Sequence, residues 1–324
     1  MPDVKYILSR EFLELIKKTI IGVKNWHKLF LFKLGFYKSC DLEFSNLGNI
    51  TFQKNDYPTP FFYVSCNAML KPYRDKIMSI HHQKNNKIID IDGFKFSNDS
   101  SSELICLLGE TFIDEQYDFN LSGGGGRTFD NATVIDVGAN IGDSTLYFAN
   151  NGFNVVAFEP SKNTFNTLKK NLDLNESHNF NIIAFNKGVG CKNHQLKLFN
   201  SDNNSIGATA YSDNINIENY EIIDIVDIKE VINEYNNENN SLFLKMDCEG
   251  CEVDVILNRD LSVFEMIYFE HHKQFTNVSH SVLVEKLENQ GFVLVNKDNT
   301  IRNIKSINKK IDVIKMIKKE YVKY

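Results

Sequence analysis

The feature that most constrains this chain is a repeated alternation of short apolar runs with helix-period segments, beginning near residue 105. Residues 133–137, 155–158, 181–185, 242–246, 266–270 and 292–296 read as strands. Helices fall between them. One covers 142–150. A second follows Ser161 as a candidate N-cap and carries Phe165, Leu168 and Leu172 on one face. A third spans 279–290, where Gly291 can end it. Such βα repeats bury their strands in a mostly parallel sheet covered by helices on both faces, a doubly wound, Rossmann-like α/β domain.

Upstream of this rhythm the pattern differs. Phe12, Leu15, Ile16, Ile20 and Val23 recur at helical spacing. Residues 41–100 hold short apolar runs (49–52, 61–64, 88–96) punctuated by Pro58, Pro60 and Gly93, as in a small β-containing region. The chain of 324 residues is long enough for about two domains. We therefore expect a helical and small-β accessory region over 1–104 and the α/β domain over 105–324. That domain closes on a tail, Ile304, Ile307, Ile311, Ile314, Ile317 and Tyr321 interleaved with lysines, which the spacing predicts as a basic amphipathic C-terminal helix. Such a helix packs on its own domain, on a second subunit in a homo-oligomer, or peripherally on an anionic membrane. The leader, with Trp26, Phe30 and Phe32, poses the same choice.

Composition excludes several classes. Basic residues number 36 against 42 acidic, which argues against a nucleic-acid binder. The most apolar short stretch, 29–36, is broken by Lys33 and Gly35, so no bilayer span is expected. The first residues lack the basic start and apolar core of a secretory signal, which makes the cytoplasm the expected compartment. Six cysteines scattered over so long a chain read as reduced thiols.

The central signal is Val134-Ile135-Asp136-Val137-Gly138-Ala139-Asn140-Ile141-Gly142-Asp143. An apolar strand ends in an acid, turns on glycine and opens a helix, whose first N–H groups and positive dipole end suit an anionic group. The G-A-N-I-G spacing misses the dinucleotide fingerprint. A second acid, Glu159 in Phe158-Glu159-Pro160, ends the next strand 17 residues after Gly142. That is close to the spacing at which a carboxylate accepts both hydroxyls of a ribose. The glycine run 123–126 lacks a following Gly-Lys-Ser/Thr and reads as a loop.

Two further blocks follow in order: Leu244-Lys245-Met246-Asp247-Cys248-Glu249-Gly250-Cys251-Glu252 and Tyr268-Phe269-Glu270-His271-His272. Together with the glycine turn and Glu159 they resemble the motifs of class I S-adenosylmethionine-dependent methyltransferases, and more narrowly the FkbM family, over residues 105–300. The resemblance implies a seven-stranded sheet and S-adenosyl-L-methionine as cofactor. It implies that Asp136, Gly138, Ala139, Asn140, Gly142 and Asp143 floor the cofactor site and that Glu159 and Pro160 meet the ribose. Lys187 and Gly188, in the segment after the third strand, would lie near the adenine. It also implies an acceptor hydroxyl on a sugar, glycan or related secondary product.

Methyl transfer to oxygen needs alignment of nucleophile and methyl, and a group to take the proton. If the strand at 242–246 stays extended, Lys245, Asp247 and Glu249 share a face. Glu270 and His272 stand in the same relation on a neighbouring strand. We expect Asp247, Glu249 and His272 around the acceptor, with Lys245 and Glu270 orienting them. A Lys245–Glu270 ion pair between strands is the structural alternative. Cys248-x-x-Cys251 invites a zinc or redox reading. The second half of a zinc finger and a thioredoxin-like context are both missing, so no metal site is expected there. Two other functions stay open: a non-catalytic nucleotide-binding protein on this fold, and N-methylation of an amine.

Overall fold

Apolar runs buried on both faces can satisfy their backbone only by pairing with one another, and the second half of the chain is built on that constraint. The computed structural model describes residues 17, 19–34, 36–45, 48–53, 77–83, 86–91, 93–97, 107–113, 115–119, 131–199, 220–238, 240–272, 276–307 and 311–322. The chain divides into two units, 1–115 and 116–324.

In the first unit, helix α1 (His27–Lys33) precedes a hairpin of β1 (Ser39–Phe44) and β2 (Gly48–Gln53). The strands β3 (Ile77–Gln83), β4 (Asn86–Ile91) and β5 (Phe94–Ser97) form an antiparallel sheet. The Asn25 side chain donates to Asp41 O and accepts from Glu43 N, fastening the turn before α1 to β1. The run 61–64 and Phe12, Leu15 and Ile16 lie outside the described residues. Among the described residues, no helix is long and apolar enough to cross a membrane.

The second unit is built on a seven-stranded sheet. Its parallel part holds β6 (Thr133–Val137), β7 (Asn154–Phe158), β8 (Ile182–Phe185), β12 (Leu242–Met246) and β13 (Phe264–His272). Antiparallel β15 (Ile311–Lys318) lies between β13 and β14 (Phe292–Val295). The order is β14-β15-β13-β12-β6-β7-β8. A small side sheet joins β9 (Gly188–Gly190), β10 (His194–Phe199) and β11 (Tyr220–Asp227). The helices are α2 (Asp143–Asn150), α3 (Lys162–Leu174), α4 (Ile228–Tyr235), α5 (Cys251–Asn258) and α6 (His280–Glu288).

Alternation along each strand sorts the two faces. Ile135, Val137, Leu244, Met246, Ile267, Phe269, Ile314 and Met316 join one core with Val231 of α4, Val255 and Ile256 of α5, and Leu283, Val284 and Leu287 of α6. The opposite face carries Phe243 and Tyr268, which Phe119 meets edge-on at 5.2 Å, with Phe148 of α2 beside them. Further along that face, Ala157 packs with Leu168 of α3.

The tail is corrected by the structure: residues 311–318 are a strand, not a basic helix. Ile311, Ile314 and Ile317 fit a helical period, but Ile314, Lys315, Met316 and Ile317 are all buried in succession. Consecutive burial is what a strand with both faces covered requires, and β-branched residues suit it. Without β15 the adjoining backbones of β13 and β14 would lose their partners. Lys315, 3% exposed, is accommodated because its ammonium donates to Lys297 O at 3.1 Å and lies 5.5 Å above the Tyr268 ring. Ile314→Ala should cost about 2–5 kcal/mol, because Ile314 is fully buried between strands. Urea unfolding should read this as a lower midpoint at unchanged slope, and an unchanged midpoint would contradict the strand.

Candidate functional site

Strand order reverses between β6 and β12, which face outward to β7-β8 on one side and β13 on the other. In an open α/β sheet, ligands bind outside the carboxyl ends at such a switch point. The glycine motif leaves β6 at this place and the 244–252 block leaves β12 beside it. Asp136 and Lys245 are register partners, and Asp247 N donates to Val137 O at 3.0 Å.

Lys245 sits at the centre. It is 2% exposed and donates to Gly138 O at 2.7 Å, and its ammonium lies 3.2 Å from Asp136 Oδ1. Burial opposes its charge, but Asp136, Asp247 and Asp143 outweigh burial and hold its pKa above the ordinary lysine value. Asp136 Oδ2 accepts from the Ser144 and Thr145 hydroxyls at 2.8 and 2.7 Å. Asp136 is thus a fully buried brace between β6, β12 and α2. The Lys245–Glu270 alternative is replaced by this Lys245–Asp136 pair.

Gly138 is required for a reason the motif does not reveal. At φ +75° it favours glycine, and a Cβ there would stand 1.8 Å from Asp247 O. The missing side chain admits the β12 backbone. Asn140, at φ 47°, directs its N–H to Glu159 Oε2 at 3.0 Å. Its Oδ1 is buried with no hydrogen-bond partner among the described residues. Ala139 is buried against Leu168, Gly142 (φ 89°) starts α2, and Asp143 is buried in its first turn.

Glu159 faces this turn. Its other oxygen accepts Ser161 N at 2.9 Å. Ser161 is the N-cap of α3: its carbonyl accepts Phe165 N at 2.8 Å, and its side chain makes no cap bond. Burial pushes the Glu159 pKa up to about 8, against the lowering effects of Ser161 N–H, Asn140 N–H and Lys245. Asn186 Nδ2 donates to both Glu159 O and Pro160 O at 2.9 Å, tying the segment after β8 to the acid. Gly188 approaches Pro160, with a built Cβ 3.6 Å from Pro160 Cβ. Lys187 is exposed between them.

The second cluster departs from the extended geometry expected of it. β12 ends at Met246, and Glu249 and Gly250 take φ 51° and 130°, so the chain bends before α5. Lys245, Asp247 and Glu249 therefore do not continue one strand face. Asp247 Oδ2 accepts the Tyr117 hydroxyl at 3.2 Å, and Gln116 Nε2 reaches both Tyr117 Oη and Glu270 Oε2 at 3.4 Å. The Gln116–Tyr117 dipeptide thus joins the acids at the ends of β12 and β13. Burial, with Asp247, Glu270 and Asp143 nearby, pushes the Tyr117 phenol well above its ordinary pKa, so it stays a donor. His272 closes β13 in register with Ile311, and its side chain lies outside the described residues.

His271 is fully buried and points to the α5 side. Its Nδ1 lies 3.3 Å from Glu252 Oε1 and its Nε2 3.1 Å from Val278 O. Glu252 Oε2 accepts Gly250 N at 2.9 Å. Cys248 and Cys251 form a disulfide, which corrects the expectation of reduced thiols for this pair. A Cys-x-x-Cys bend at a helix start brings the two Cα atoms to 5.5 Å, within bridging range. Ligand-type atoms of Cys248, Cys251 and Glu252 lie within 4.8 Å of one another, but bridged sulfurs offer no thiolate to a metal.

Sequence reasoning missed Gln116, Tyr117, Ser144, Thr145 and Glu252 as parts of this network. Ser144 and Thr145 could have been found from their place one turn into the helix after Asp136. Nothing local marks Tyr117, whose partner is 130 residues away.

A sheet of this order with a glycine turn and an acid at its switch point defines the class I methyltransferase fold. More specifically, residues 136–294 match the family model of the methyltransferase FkbM domain. The chain is also 27% identical over 179 residues to "Methyltransferase 1" of Beauveria bassiana, covering 49% of this chain and 68% of that protein. Among solved structures it is similar to methyltransferase FkbM from Methylobacillus flagellatus at TM-score 0.36 and 16% identity. That match covers 68% of this chain and 56% of the other, so the chain spans little more than half of that protein's length. It is similar at TM-score 0.38 and 9% identity to a SAM-dependent methyltransferase from Agrobacterium tumefaciens, over 73% and 70% of the two chains.

Two outcomes follow for the site. Gly138→Ala should lower the urea midpoint measurably, since the left-handed backbone alone costs about 1–2 kcal/mol and the Asp247 carbonyl must move as well. The Glu159 pKa of about 8 lies above the ordinary 4.5, so the folded state holds this proton more tightly than the unfolded chain. Its stabilising effect is complete below pH 4.5 and is lost as pH rises toward 8. Glu159→Gln should therefore gain thermal stability relative to the parent between pH 5 and pH 8.5, read as the difference in midpoints. A difference that stays constant over this range would refute the shift.

Proposed function

We propose that this protein transfers a methyl group from S-adenosylmethionine to a hydroxyl of a sugar, glycan or related secondary product. The observation that carries this reading is the 3.0 Å bond from Asn140 N–H to Glu159 Oε2, which brings the glycine turn and the acid together at the switch point. A carboxylate with one backbone N–H on each oxygen keeps lone pairs for the two hydroxyls of a ribose. The buried, unpartnered Asn140 Oδ1 is an acceptor suited to a polar ligand in the same place. The residues present therefore fit the cofactor, with Gly138–Gly142 as its floor, Glu159 and Pro160 at the ribose, and Asn186–Gly188 toward the base. Bound there, S-adenosylmethionine supplies an electrophilic sulfonium methyl.

The chain's own work is alignment and proton transfer. Asp247 ends β12 at the switch point, and Tyr117 fixes its carboxylate by donating to Oδ2. A carboxylate so held can orient an acceptor hydroxyl and take its proton as the oxygen forms its bond to carbon. Glu270, held by Gln116, flanks it. Glu249 and His272 remain the further candidates around the acceptor. The acidic surround suits a hydroxyl or an amine; the choice of a sugar hydroxyl comes from the family resemblance.

The test is calorimetric titration of the protein with S-adenosylmethionine. A ribose diol needs Glu159 ionised, and its pKa without ligand is about 8. Affinity should thus tighten as pH rises toward 8 and level off above it, with proton release into the buffer below that point. Glu159→Ala should lose most of the affinity and all of this pH dependence. Asp247→Asn should keep the affinity and lose methylation of the acceptor, once a mass search of cellular glycans identifies it. A parent protein that does not bind S-adenosylmethionine ends the proposal.

A further inference from the structure

We propose that Cys248 and Cys251 form a reversible dithiol–disulfide modification site that tunes the cofactor pocket, an inference whose ligand readout rests on the function proposed above.

Three independent features converge on this loop. First, the two cysteines form a disulfide, and their exposures differ: Cys248 is half-buried and Cys251 is 5% exposed. An incoming thiolate therefore has one sulfur to attack. Second, the bridge spans the residues that bend the chain away from β12. Glu249 holds φ 51°, a left-handed conformation that a non-glycine residue adopts at a cost. A bridge across it keeps the bend in place. Third, the loop touches the cofactor turn through backbone. The Cβ position of Gly138 lies 1.8 Å from Asp247 O and 3.4 Å from Cys248 N. Any relaxation of 247–251 is felt at Gly138, and through Asp247 at the Tyr117 hydroxyl.

The surroundings also provide for the opened state. Glu252 Oε2 is 3.4 Å from Cys248 Sγ and accepts Gly250 N, while Oε1 faces His271. A reduced Cys248 thiol would find an acceptor there, and the Glu252–His271 contact keeps α5 seated on β13. Opening the bridge then loosens the loop without unfolding the domain.

The exchange balances without further reactants. The thiolate of a small dithiol attacks Cys248 Sγ, the S–S bond breaks and Cys251 leaves as a thiolate that takes a proton. The second thiol of the dithiol then closes on its own sulfur, giving a cyclic disulfide and releasing Cys248, which is protonated to the thiol. Oxidation by a small disulfide runs the same steps in reverse.

The experiment uses the full chain equilibrated with oxidised or reduced dithiothreitol. Alkylation followed by peptide mass analysis should find Cys248 and Cys251 joined in the first and labelled in the second. Labelling of both in the oxidised sample overturns the proposal. Titration with S-adenosylmethionine should give an affinity at least about fivefold weaker after reduction, the low end of ordinary coupling between sites. Cys248→Ser, at the half-buried position, should match the reduced parent and ignore dithiothreitol. Equal affinities in the two states overturn the proposal. If the parent binds in neither state, the cofactor reading fails, and hydrogen exchange across 246–252 still decides this one. Faster exchange on reduction supports it and unchanged exchange overturns it.

Discussion

The rest of the site depends on one buried ion pair. Lys245 is inserted between the Asp136 carboxylate and the Gly138 carbonyl, so the last residues of β6 and β12 are held together where the sheet changes direction. A buried pair of this kind adds little net stability, because desolvation offsets the attraction. Removing one partner, by contrast, costs several kcal/mol. What the pair secures is position. Asp136 also binds the Ser144 and Thr145 hydroxyls, so β6, β12 and α2 are referred to the same carboxylate. The glycine turn, the end of β12 and the first turn of α2 cannot shift independently.

On this frame the site divides its acids by environment. Glu159 is buried against backbone N–H groups and loses its charge easily, which suits a group that must exchange a proton for ligand hydroxyls. Asp247 receives a phenol whose own ionisation is suppressed by burial, so that hydrogen bond keeps its direction over the whole physiological range. Glu252 faces away from both, bridging Gly250 and His271 and supporting the loop from behind. Burial and partners thus give the three acids different environments.

The strands at 133–137 and 242–246 and the helix ending before Gly291 were legible because their signals are local: continuous apolar runs, a helical repeat, a glycine at the end. The tail was misread for a complementary reason. Its isoleucines satisfy a helical repeat, yet the gap between β13 and β14 demanded a strand with both faces covered. The competing partner lies outside the segment, so no window of sequence contains it. The Cys248–Cys251 bridge is local by contrast, and the pair was read as reduced because the cysteines are scattered along a long chain and a thioredoxin-like context is missing.

By itself the sequence determined the α/β class, the glycine turn and the acid that ends the next strand, since each is written in short contiguous motifs whose spacing reflects backbone geometry. Only the tertiary structure decided that Lys245 pairs with Asp136 and not Glu270, that Gly138 makes room for the Asp247 carbonyl, and that Tyr117 holds Asp247 from 130 residues away. These are contacts between strand ends that adjoin through sheet order, and sheet order is set by burying the whole set of strands at once. Local pattern specifies what each element is; the packing of all of them specifies which side chains meet.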